Sequence, residues 1–308
     1  MKTVVDFPAG RATDLLAYGD PNIDLVFAVE HAPAADQKVL GRRLGPYAGG
    51  TVANVACAAG RLGRAVQAYG RIGDDEYGQF VARDFEHFGV GTGYLQRVSS
   101  TPTAAALIML EASGEKALVY APMPGTALQP ETLAPALAQS RLLYAMPYDL
   151  EEFVQLHALA RAAGVPVAID LEAVMVPDAR RLHQLLGMSD LVFMNDSTFR
   201  SIAGVEADPA AMAWLLQFGP TILTVTCGAR GALAVTRDAQ LFQPAFPATL
   251  VDSTGAGDCF NGAFLAALLE GQGLDAALRF ACAAASIAVG AAGARSALPT
   301  RAQLGRLL

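Results

Sequence analysis

Three lysines, at positions 2, 38 and 116, are all that this chain of 308 residues contains, and Asp and Glu outnumber Lys and Arg by 29 to 22. The resulting formal charge of −7 leaves no basic stripe to neutralise a phosphate backbone, so no nucleic-acid partner is expected. Cysteine is also scarce: Cys57, Cys227, Cys259 and Cys282 are scattered without a C-x-x-C pair, and the four histidines lack ligand spacing. Reduced, buried thiols in a cytoplasmic protein are expected, not disulfides or a thiolate metal site. The opening MKTVVDFPAGRATDLL has no basic stretch leading into an apolar run, and no secretory signal is expected. No apolar run is long enough to span a bilayer: the strongest window, Ala281 to Ala294, is short and mostly Ala and Gly, which predicts a tightly packed helix and no membrane partner. The P-loop pattern G-x-x-x-x-G-K-[ST] does not occur. Gly271-Gln-Gly-Leu-Asp-Ala276 imitates a dinucleotide fingerprint but follows a helix instead of a strand, and is set aside.

Hydrophobic residues make up 53% of the chain and charged ones only 17%, enough for one large domain, or one with a small appendage. Short aliphatic runs alternate with Ala/Leu-rich stretches. The runs predict strands over Leu15 to Tyr18, Val66 to Tyr69, Leu142 to Met146, Val165 to Asp170, Leu191 to Asn195 and Thr221 to Thr226. Between them, helices are predicted over Val52 to Leu62, Tyr77 to Phe88, Glu151 to Ala163, Ala179 to Leu186 and Pro209 to Phe218. This alternation argues for an α/β fold with a mostly parallel sheet covered on both faces. Asp24 to Tyr47 and Ala104 to Ala121 break the rhythm, the second reading as a hairpin that turns around Ser113 and Gly114. Neither has room for a crossover helix; together they predict a small antiparallel sheet covering a ligand cleft.

The segment Val251-Asp-Ser-Thr-Gly-Ala-Gly-Asp-Cys-Phe-Asn-Gly-Ala-Phe264 carries the strongest chemistry. After Asp258, apolar residues at Phe260, Ala263, Phe264, Ala267 and Leu268 trace a helix with one buried face. Gly255, Ala256 and Gly257 then lie at its N-terminus, where unpaired N–H groups and the helix dipole favour an anion and small side chains let a phosphate approach. Asp258 in the first turn either complements the dipole or acts as a general base on an attacking hydroxyl. In Gly49-Gly50-Thr-Val-Ala-Asn54, the glycines either only turn the chain or, with Asn54 pointing away from the helix's buried face, wall a polyol pocket. Asn22 and Asp24 follow the first strand, where ligands of parallel sheets bind.

GGTVANVACAAGRLG near residue 50 and DSTGAGDCFNGAF some 200 residues later resemble the two signatures of the ribokinase-like (PfkB) carbohydrate kinase family. GRIGDDEYG, VTCGARG and GARSALP fall where that family has related segments, so the resemblance covers Ala17 to Pro299. It implies one domain over residues 1–308: a three-layer α/β/α sandwich with a small β-sheet lid from about 24–47 and 104–121. It further implies an ATP-dependent phosphotransferase acting on a primary hydroxyl of a small sugar, with Mg²⁺. Asp258 would be the catalytic base and Gly255, Ala256 and Gly257 the anion hole. Asn22, Asp24, Gly49, Gly50 and Asn54 would face the sugar. Asn195, Thr226, Gly228 and Gly231, with the Ala288 to Gly293 loop, would face the nucleotide. Asp252 and carbonyls near Thr254 and Gly293 would hold a monovalent cation such as K⁺, and the lid would form a homodimer. The chain departs from the family at Asn195-Asp-Ser-Thr198, where Asn-x-x-Glu is common, at Thr51, where ribokinases resemble GGKGAN, and at Ala297, where some members have Ser. Ala168-Ile-Asp-Leu-Glu-Ala lacks the Arg of the Asp-x-Asn-x-Arg segment that fructokinases and ketodeoxygluconate kinases tend to carry, which weakens both assignments; with no such Arg for a sugar acid or phosphate, and with neutral or acidic residues at the sugar positions, a neutral substrate is expected, a ketohexose before a pentose. A nucleoside kinase of the same fold, or a sugar-binding protein without turnover, are the alternatives.

Overall fold

In the strand Thr13–Tyr18, residues 15–18 are apolar on both faces, in keeping with a strand covered on both sides: Leu15 and Ala17 join one hydrophobic cluster, Leu16 and Tyr18 the other. A computed structural model describes residues 5–111, 113 and 115–308. Along the chain run β1 (Thr13–Tyr18), β2 (Asn22–Val29), β3 (Gly41–Gly49), α1 (Thr51–Arg61), β4 (Val66–Gly73), α2 (Glu76–His87), β5 (Val90–Val98), β6 (Ala105–Glu111), β7 (Lys116–Ala121), α3 (Pro130–Ala138) and β8 (Ser140–Ala145). There follow α4 (Leu150–Ala162), β9 (Val167–Asp170), α5 (Ala179–Gly187), β10 (Leu191–Asn195), α6 (Asp196–Ala203), α7 (Pro209–Leu215), β11 (Ile222–Thr226), β12 (Gly231–Val235), β13 (Gln240–Pro244), α8 (Ala256–Leu269), α9 (Leu274–Ala288) and α10 (Arg301–Leu307).

Nine strands form the main sheet in the order β13-β12-β11-β10-β9-β8-β1-β4-β5. It is parallel from β5 to β11 and antiparallel at β12 and β13. Residues of α1, α8 and α9 pack with one face, and residues of α3, α4, α5 and α7 with the other, giving the expected three layers. The helix after Asp258 departs from its one-sided reading: α8 is buried from Cys259 to Leu269 because α1 and α9 flank it. The packed helix expected through Ala294 ends at Ala288, and the remaining residues turn towards the start of α8.

The other four strands form a separate sheet in the order β3-β2-β6-β7. It is mixed and not antiparallel, since β2 and β6 run parallel, Ile23 facing Ala105 and Val29 facing Glu111. The reason is the route: between β3 and β6 the chain passes through α1, β4, α2 and β5, and it re-enters beside β2 from the same end. Strands β6 and β7 pair antiparallel as a hairpin; of the expected turn, Gly114 lies outside the described residues. No helix among the described residues is long and apolar enough to cross a membrane.

Candidate active site

The first turn of α8 is set by a backbone that only glycine tolerates easily. Gly255, its N-cap, has φ 75°, and a Cβ there would lie 2.6 Å from the Cβ of Ala294. The amides of Gly257 and Asp258 find no acceptor among the described residues, and both residues line a cavity of about 160 Å³. A Cβ on Gly257 would meet nothing within 4 Å, so an anion has room against this helix end. The cavity opens where three parallel strands finish: Asp170, Asn195 and Thr226 are the last residues of β9, β10 and β11, and all three line it.

Asp258 faces this cavity and is gripped from α1. Asn54 Nδ2 donates to Asp258 Oδ2 at 2.7 Å, and Asn54 Oδ1 accepts from Arg295 Nε at 2.7 Å. Asn54 does not project from the helix into open space as expected: it is only 6% exposed, because α1 is buried continuously from Val52 to Ala59. Burial pushes the Asp258 carboxyl up to about 6, against the opposing pull of the Asn54 hydrogen bond and the Arg295 charge. Asp170 is raised to about 7 by burial and by the nearby Asp258 charge, while its hydrogen bond from Asn261 lowers it. Asn261, one turn beyond Asp258 on α8, donates to Asp170 Oδ2 at 2.9 Å and to Tyr144 Oη at 3.2 Å. A carboxylate titrating near neutrality beside an anion cradle can take a proton from a hydroxyl whose oxygen attacks a held phosphorus.

The residues expected to face the sugar stand on the small sheet, the turn into α1 and α1 itself, outside the lining of this cavity. Asn22 and Gly49 are paired across β2 and β3, and Asn22 Nδ2 donates to Asp24 Oδ1 at 2.6 Å. Any side chain at Gly49 would strike both Asp24 carboxylate oxygens, at 2.5 Å, and Gly50 turns into α1 with φ 96°. Burial raises the Asp24 carboxyl, with Asn22 and the more distant Arg295 acting against it.

A family model, described as pfkB family carbohydrate kinase, matches residues 12–301. The chain belongs to that family. It is 30% identical to a ribokinase of Bacillus subtilis over 299 residues, covering 96% of this chain and 99% of that protein. A fructokinase of Klebsiella pneumoniae is 32% identical over 282 residues, covering 84% and 91%. The structure of Arabidopsis thaliana ribokinase complexed with ribose and ATP superposes with a TM-score of 0.86 at 26% identity, covering 96% of this chain and 98% of that one.

Several residues of the kinase sit otherwise than a local reading suggests. Asn195 caps α6 by accepting from the Thr198 amide at 2.7 Å, and Thr198, standing in place of an acidic residue, is buried. Asp196 pairs with Arg230 at 3.0 Å. Gly228 opens a short 3₁₀ turn with φ 55°, whereas Gly231 is a packing glycine whose Cβ would collide with the Gln243 carbonyl. Ala288 closes α9 and is buried in the core, so only the residues after it form a loop. Asp252 accepts from the amides of Thr254 at 2.9 Å and Gly293 at 2.8 Å. Burial raises its carboxyl, but these amides outweigh burial and hold it below the usual range. Arg295, Glu172, Asn261 and Asp84 escaped the residue-by-residue reading. Asn261 had a local signal three positions after Asp258 on the same helix, and Arg295 and Glu172 lie within the quoted GARSALP and Ala168-Ile-Asp-Leu-Glu-Ala segments, whereas Asp84 had none.

Proposed function

We propose that the kinase transfers the γ-phosphoryl group of ATP to a primary hydroxyl of a small neutral sugar, with Asp258 as general base. The observation that carries this reading is the Asp258 carboxyl, raised to about 6, in the same helical turn as the acceptorless amides of Gly257 and Asp258. As the sugar oxygen bonds to phosphorus and the bond to the ADP oxygen breaks, Asp258 takes the hydroxyl proton and the backbone at Gly255 to Gly257 holds the developing charge.

Mg²⁺ fits the hard oxygen donors here: Asp170 and Glu172 line the cavity with Asn195, and a nucleotide-bound Mg²⁺ commonly uses one or two carboxylates. When bound, it would neutralise phosphate charge. K⁺ is proposed beside Asp252, although the Thr254 and Gly293 amides already occupy that carboxylate. The small sheet acts as a lid over the sugar, and through it the kinase dimerises. The cysteines, all buried and unpaired, suit a reducing cytoplasm. Neutral or acidic residues, Asn22, Asp24, Gly49, Gly50 and Asn54, form the proposed sugar wall, which favours hydroxyl donors, ketohexose before pentose. The fructokinase relative agrees with this choice, whereas the ribokinase relative and the neighbour complexed with ribose point to a pentose, and the panel below separates the two.

The test is a panel of ketohexoses, aldopentoses, nucleosides, sugar acids and sugar phosphates, with ATP consumption as readout. Ketohexoses are expected to give the highest kcat/KM, and Asp258→Asn to fold normally while lowering kcat by about 10²- to 10⁴-fold. Turnover confined to a phosphorylated or carboxylated sugar, or to nucleosides, would overturn the substrate reading. A variant within about threefold of wild type would overturn the role of Asp258.

A further inference from the structure

Arg295 is 6% exposed, and a buried guanidinium is tolerated only where its donors are matched. Its donors diverge in three directions. Nε donates to Asn54 Oδ1 at 2.7 Å, one terminal nitrogen donates to the Gly49 carbonyl at 2.8 Å, and the other pairs with Asp84 of α2. The guanidinium also lies over the Phe85 ring, 5.6 Å from its centroid. Each contact belongs to a different segment, so one planar group ties α1, the end of β3 and α2 to the loop after α9. Two of the three contacts bear on residues of the proposed site: Asn54 bonds Asp258, which lines the cavity, and Gly49 abuts the Asp24 carboxylate, which stands outside its lining.

An amide next to a carboxylate is fixed only when both of its ends are engaged. With its oxygen held by Arg295, Asn54 keeps its NH₂ on Asp258. We infer that Arg295 is a positioning residue for phosphoryl transfer, setting the Asn54 amide against the base and, through the Gly49 carbonyl, the backbone on which the Asp24 carboxylate packs, so that base and sugar wall hold one register. The inference rests on the reading of Asp258 as the base. A bidentate or forked requirement of this kind is not met by lysine, whose single ammonium is a point donor.

Several charged or titratable groups face Asp258 from the elements packed around it. They are Cys259 on its own helix, Asp170 at the end of β9 and Glu172 just after it, Asp24 on β2, Tyr144 on β8, and Arg295, with Asp84 behind it. Arg295 is the positive charge among them, so its removal weakens the anionic form of Asp258 and moves the acid limb of the kcat profile to higher pH.

The experiment compares Arg295→Met, Arg295→Lys, Asn54→Ala and the Asn54→Ala/Arg295→Met double variant, with Asp84→Asn as control. Expected are a kcat lower by about 10- to 100-fold in both Arg295 variants, an ATP KM within about twofold of wild type, and an acid limb shifted upward in Arg295→Met. In the Asn54→Ala background, Arg295→Met should cost no more than about a further twofold in kcat, the part it exerts through Gly49 showing in the sugar KM instead. Asp84→Asn, which keeps the Nε contact, should lower the melting temperature more than it lowers kcat. If Arg295→Met does not fold, Arg295→Lys carries the test, since it retains a cation for Asp84 yet cannot serve all three acceptors. Additive effects of Arg295 and Asn54, or kcat tracking melting temperature through Asp84→Asn as well, would overturn the inference. Near-wild-type turnover in Asp258→Asn would remove the base itself; a normal Asp258→Asn loss with additive Arg295 effects would remove only the positioning role.

Discussion

Asp170 and Asp258 hold their charges in surroundings that oppose them, and this has a pH signature. Asp170 rises from 3.8 to about 7 in the folded protein, so between those values the native state binds more protons than the unfolded one. Its contribution to stability is therefore full below about pH 4 and is lost as pH rises through about 7. Asp170→Asn keeps an oxygen for Asn261 and removes the charge. At pH 8 it should melt about 2 to 5 °C above wild type, with the gap closing as pH falls to 4. A pH-independent gap in the melting curves would show that the carboxylate charge is not its source. The contrast between the two acids also shows what a sequence discloses. Asp258 was legible because glycines, a first turn and a carboxylate come consecutively. Asp170 was not, since nothing in Ala168-Ile-Asp-Leu-Glu says that Asn261 from a distant helix will close over it.

At the scale of elements, the link from Asn54 to Asp258 depends on how closely α1 approaches α8. A Cβ on Gly262 would lie 2.7 Å from the Cβ of Ala58 and 2.7 Å from the Val55 carbonyl, so backbone meets backbone here. Gly262→Ala must wedge the helices apart by a fraction of an ångström. It should destabilise the fold by about 1 to 3 kcal/mol in urea titrations and lower kcat together with stability. Gly305→Ala on α10, where nothing lies within 4 Å, serves as the neutral control. Equal stability of the two variants would mean that the helices yield without strain. Both long helices of this contact were readable from their apolar spacing. Helices α3 and α6 were not: α3 starts at Pro130 and carries Pro135 within it, and α6 is a short, polar-started turn of the chain. The parallel pairing of β2 with β6 was equally hidden, because alternation tells which residues share a face and not which strand lies alongside.

For the whole molecule, β7 ends the small sheet with an unpaired edge among the described residues, and its residues Leu118 and Val119 are 54% and 60% exposed. An apolar edge of this kind is a liability in a monomer and is covered in the proposed homodimer. Light scattering should give twice 32.0 kDa, and Leu118→Glu should shift the population towards monomer; a wild-type mass of 32.0 kDa at every concentration would exclude the dimer. The same sheet also has a history in time. Ile23 meets Ala105 only after the chain has travelled through α1, β4, α2 and β5, yet this loop is shorter than the one that brings Ser140 of β8 to Thr13 of β1 in the main sheet, so loop entropy gives the cover no later place in folding than its base. All four strands of this cover, β2, β3, β6 and β7, precede β8 in the chain, so during synthesis the roof emerges before the strands from β8 to β13 that complete its base.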